Sequence, residues 1–140
     1  MLLLVSLALA DVSPDALSGY DRLRAALVVD DDAGAVTAAT ALGALAGVDS
    51  VIADASRAVA GAQGIAARRQ AFGELSKVVI AQLSTQTNPP KSFAYHCPMA
   101  TGFQYWVQAS MGIQNPYMGQ SMPACGSEVS LKKAAKAAAP

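Results

Sequence analysis

Leu17, Tyr20, Leu23 and Leu27 recur at three- and four-residue intervals, the spacing that lines one face of an α-helix. Ser13-Pro14-Asp15 stands just ahead of them and reads as a start signal: a serine cap, a proline at the first helical position and an acid that suits the helix dipole. A first helix from Pro14 to about Val29 is therefore predicted. Asp30-Asp31-Asp32 interrupts the pattern, and a cap there launches a second helix through Val36, Leu42, Leu45 and Val48. The Ala-rich stretch 49–70 contains Gly61 and Gly64, which predicts a helix with a break near those glycines. From Ile65 onward Phe72, Leu75, Val79 and Leu83 share a face, with Arg68, Arg69 and Lys77 outside it. This predicts a long helix to about Ser84, stopped by Asn88-Pro89-Pro90. Three to four helices with short connections pack most economically as an antiparallel bundle. The expected fold class is all-α, with an irregular Cys/Met-containing C-terminal segment.

Length and composition agree with that expectation. A chain of 140 residues has room for one domain with a self-sufficient core. Hydrophobic residues make up 53% of it and aromatics 6%, and the large Ala share favours close-packed helices. Met1 to Ala10 is an apolar run ending in Ala8-Leu9-Ala10, the small-x-small pattern of a signal-peptidase site. The expected organisation is thus a signal peptide over 1–10, a domain over 11–130 and a Lys/Ala-rich tail over 131–140. The leader is too short to span a bilayer, which takes about 20 apolar residues, so the chain reads as exported and not membrane-spanning. Formal net charge is 0, yet Lys132, Lys133 and Lys136 all lie in the tail. The body carries more acid than base and offers nucleic acid no electrostatic footprint. The tail reads as a fraying helix end. The three aspartates lack the rest of a hard-cation loop and read as a solvated turn with a cap.

After Pro90 the chain changes character. Residues 91–126 hold both cysteines, the only His, the only Trp, three of the four Tyr and four of the five Met. Four signatures follow in order: Tyr95-His96-Cys97-Pro98-Met99-Ala100, Trp106-Val107-Gln108, Ile113-Gln114-Asn115-Pro116-Tyr117-Met118-Gly119, and Met122-Pro123-Ala124-Cys125-Gly126. Upstream stand Arg69-Gln70-Ala71-Phe72-Gly73-Glu74-Leu75-Ser76 and the string Leu23 to Asp31. Together these closely resemble DUF3347, a periplasmic domain family found alone or fused to adaptor subunits of heavy-metal efflux pumps and linked to copper. The resemblance covers nearly the whole chain after the leader. It implies an exported helical domain associated with metal resistance, with a metal ion and an efflux adaptor or other periplasmic protein as partners.

The residues themselves point to sulfur chemistry. Pro98 biases Cys97 to an extended conformation, in which residues two apart share a face, so Cys97 and Met99 are expected to present their sulfurs together. His96 then points the other way unless the chain kinks. Met122 and Cys125 share a face if their stretch forms a helical turn. Thiolate and thioether donors select soft ions, so Cys97 and Cys125 are the candidate primary ligands for Cu(I), Met99 and Met122 secondary, and His96 an addition. Ag(I) and Zn(II) follow as alternatives, although the spacings of a structural zinc site are absent. The competing expectation is a Cys97–Cys125 disulfide in a structural or interaction domain of the envelope. Trp106 reads as a core or lid residue, Met111 and Met118 as packing residues, Asn115 to Gly119 as a turn, and Arg69 as a local cap or pair. No paired carboxylates, phosphate loop or usable Cys-His nucleophile is present, so no enzyme is expected.

Overall fold

A computed structural model describes residues 10–140; the expected signal peptide, apart from Ala10, lies outside them. Four helices come first: α1 (Pro14–Val28), α2 (Asp32–Gly43), α3 (Ser50–Gly61) and α4 (Ile65–Thr85). Their starts follow the expected chemistry. Ser13 accepts from the Ala16 amide, Asp31 from Gly34 and Asp49 from Ile52, each satisfying an orphan N–H of a first helical turn. Each helix packs on the next. The set closes where Tyr20 of α1 stacks on Phe72 of α4, with ring centroids 5.0 Å apart, and shares a 2.7 Å hydrogen bond with Ser76.

The rest of the chain is not an irregular appendage to an all-α bundle. Strands β1 (Phe93–His96), β2 (Tyr105–Gln108) and β3 (Ser127–Val129) form an antiparallel sheet in the order β2-β1-β3, followed by α5 (Leu131–Ala138). The fold is therefore mixed α and β. The all-α expectation fails because the strands are only three or four residues long and lie among turn signals, too short for an alternating pattern to register. Their own residues, Phe-Ala-Tyr-His and Tyr-Trp-Val-Gln, are aromatic and β-branched types that fit a half-buried pleated surface.

Side chains knit the two parts into one core. Tyr95 and Trp106 sit opposite each other across β1 and β2 and stack at 5.6 Å; Trp106 meets Tyr117 edge-on at 5.8 Å, and Tyr117 meets Phe72 at 5.8 Å. The outer edge of β2 is occupied by phenols: the Val107 amide donates to the Tyr20 hydroxyl and the Tyr117 hydroxyl donates to the Tyr105 carbonyl. The Lys/Ala run expected to fray is instead α5, capped by Ser130 and packed on α4 with Ala134 fully buried. Arg68, expected outside the apolar face of α4, is buried. Its guanidinium donates to the Val59 and Ala60 carbonyls at the end of α3 and pairs with Asp32 at 2.7 Å, a cation answering the negative end of a helix.

Candidate functional site

The register of β1 with β3 places the two cysteines. His96 pairs with Ser127, so Cys97 leaves one strand where Gly126 and Cys125 enter the other. The sulfurs stand 3.0 Å apart although the residues are 28 positions apart in sequence. Both are free thiols; Cys97 is fully buried and Cys125 half-buried. Gly126 makes the approach possible. Its φ is +132°, and a β-carbon there would come within 2.6 Å of the His96 carbonyl oxygen and 3.3 Å of the Trp106 ring.

Methionine 99 is not held as an extended strand would hold it. The Ala100 amide donates to the Cys97 carbonyl, so the chain turns at Cys97-Pro98-Met99-Ala100 with proline at the turn's second position. As a result the turn brings the Met99 backbone amide, rather than a sulfur parallel to that of Cys97, near the Cys125 thiol. Met122 and Cys125 do form a turn, with the Cys125 amide donating to the Met122 carbonyl at 3.2 Å. Both thioether side chains are exposed. His96 stands apart from the sulfurs. Its Nε2 lies 3.0 Å from Gln104 Oε1 and its ring packs on Tyr105 at 4.5 Å. Among the described residues no group of three or more His, Cys, Asp or Glu side chains converges.

The frame around the thiols depends on residues to which the sequence reading gave only local roles. Asn115 is completely buried. Its Oδ1 accepts from the Tyr117 and Met118 amides, its Nδ2 donates to the Cys125 carbonyl, and its own amide donates to the Pro123 carbonyl. Arg69 does not pair locally: it donates to the Pro116 and Leu27 carbonyls and pairs with Asp30 at 2.5 Å, joining α4, α1 and the turn after Asn115. Arg24 and Asp21 of α1 likewise hold residues Ala109 and Gln114. Asn115 was legible only as turn chemistry, because its hub role depends on partners ten residues away.

The site's electrostatics favour the thiol form of Cys125. The hydrogen bond with Cys97, and then loss of water, push the Cys125 thiol above its ordinary value, against the pull of the Met99 amide. The sulfur separation lies between two chemical states. A disulfide needs about 2.0 Å; two sulfurs on one tetrahedral ion, with bonds of about 2.3 Å, stand about 3.8 Å apart. Either state takes a shift of about 1 Å. The donor set suits a soft ion: two thiols in contact, with thioethers on the turns that carry them.

Comparison of the chain with family models, curated proteins and solved structures gives no match. Among the described residues no helix is long and apolar enough to cross a membrane.

Proposed function

We propose that this chain is a periplasmic soft-metal-binding module of the DUF3347 type, with Cys97 and Cys125 as the primary ligands of a Cu(I) ion handled for efflux or sequestration. The observation that carries the reading is the 3.0 Å approach of two thiols from separate strands. Ag(I) shares the preference of Cu(I) for sulfur, and Zn(II) ranks below both because imidazole and carboxylate donors are missing from the cluster. In this reading the β1–β3 register brings the thiols together, Asn115 fixes the backbone of Cys125, and each thiol gives up its proton on binding. Met99 and Met122 supply neutral thioethers at the rim; His96, engaged with Gln104, joins only if its ring turns. An efflux adaptor or another periplasmic protein is the expected recipient.

The test is a Cu(I) titration under reducing conditions against a competing chelator. One ion per chain, lost in the Cys97→Ser/Cys125→Ser variant, supports the reading, and failure to compete rejects it.

Full burial of Cys97 favours a second reading, a structural or interaction domain of an envelope or efflux complex with a permanent Cys97–Cys125 disulfide. Here a thiol count on protein isolated without reductant decides. No free thiol, together with no Cu(I) competition after reduction, selects this second reading.

A further inference from the structure

Beyond the thiol pair, a cavity of about 270 Å³ opens between α4, the turn after Cys97 and the turn after Asn115, and both Met99 and Met118 line it. The sequence pairs Met99 with Cys97 and reads Met118 as packing; Met118 does pack against the core, and the fold also brings it to one cavity with Met99, nineteen residues away. We propose that these two methionines form a separate, thioether-only site for a monovalent soft cation, Cu(I) or Ag(I), beside the thiols. The proposal deepens the metal-binding reading and rests on it for its biological sense; the two share Met99, but this site needs neither thiol.

Three observations support it. Met99 is 63% exposed, so its side chain contributes little to the core and packing does not explain it. Both residues are fixed through their backbones next to the thiol site: Met99 by the Cys97–Ala100 turn, Met118 by its amide to Asn115, whose other end holds Cys125. The nearby cation is also neutralised. Arg69 borders the cavity, yet its guanidinium is paired with Asp30 and two carbonyls. Gln70 and Thr101, also on the wall, are uncharged. Thioethers carry no proton to lose and select monovalent soft ions over Zn(II). Such a site therefore stays open whether the two thiols are free or joined as a disulfide.

The experiment uses Ag(I), which needs no reductant, and protein in which Cys97 and Cys125 are joined as a disulfide. Methionine methyl groups labelled with ¹³C are followed by NMR as silver nitrate is added. The expected result is saturable shifts at Met99 and Met118, with Met111 and Met122 unmoved and Zn(II) without effect. In the Met99→Leu/Met118→Leu variant, Ag(I) affinity measured calorimetrically on the same oxidised protein falls at least ten-fold. Shifts confined to Met111 or Met122, equal response to Zn(II), or unchanged affinity in the variant overturns the site. The same titration on Cys97→Ser/Cys125→Ser protein repeats the test without a disulfide. Loss of Cu(I) binding by the thiols leaves these readouts untouched, so the two readings fail separately.

Discussion

Asn115 Nδ2 donates to the Cys125 carbonyl at 2.8 Å while Asn115 Oδ1 gathers the amides of Tyr117 and Met118. One buried side chain therefore sets where a cysteine and a methionine stand. Asn115→Ala leaves these groups without partners in a dry interior, at a cost of about 1–3 kcal/mol for each unsatisfied group. We expect a loss of about 2–4 kcal/mol in denaturant melts and slower disulfide formation under mild oxidant. A variant that melts and oxidises like wild type removes Asn115 from this role.

Gly126 makes a second test. A methyl group at φ +132° would crowd the His96 carbonyl, and a strained backbone of this kind costs on the order of 1–3 kcal/mol. Gly126→Ala should lower the melting temperature and part β3 from β1 near His96. Amide exchange at Ser127 and His96, faster than in wild type, checks the local part of the effect.

Joining the cysteines closes a loop of 28 positions, which stabilises by about 3.5 kcal/mol on the chain-entropy relation. Oxidised protein is expected to unfold at correspondingly higher denaturant than reduced protein. Equal midpoints for the two forms would mean that bridging the sulfurs costs the fold as much as the cross-link contributes.

Two kinds of group set the pH response. The Cys125 thiol is raised in the folded protein, chiefly by its hydrogen bond with Cys97, so its contribution is present below the ordinary thiol value and lost as pH rises past it. Reduced protein should weaken above about pH 9, alkylation of Cys125 at pH 8 should be slower than for a free cysteine, and Cu(I) uptake by the thiols should steepen with pH. Asp30 and Asp32 are lowered, mainly by hydrogen bonds from Arg69 and Arg68. Their contribution is present above the unfolded carboxylate value and lost as pH falls through the folded one. Stability measured below about pH 4 should drop, and Asp30→Asn should flatten that drop.

Helices were legible where one short rule decides them. Ser13-Pro14 marks the start of α1, the aspartate run caps α2, and Gly61 and Gly64 bracket the α3–α4 break, all within a few residues of sequence. The sheet was not, because its evidence is compositional: six of the eight aromatic residues lie between Phe93 and Tyr117, and only pairing across the sheet turns them into strands. The cysteines were legible as a pair, but the turn at Pro98 decides which neighbour faces them, and a preference for extended Cys97 could not supply it. Arg68 and Arg69 were misread for a related reason. Their partners lie on other helices, and a helical wheel of α4 shows two surface cations.

The phenol groups of Tyr20 and Tyr117, engaged with Val107 and Tyr105, bear on behaviour at high concentration. An open strand margin is where copies of a protein zip together into polymers. Here two hydrogen-bonding positions on the margin of β2 are already taken by side chains rooted in the core, so a foreign strand that needs them must first pull two buried rings out of place.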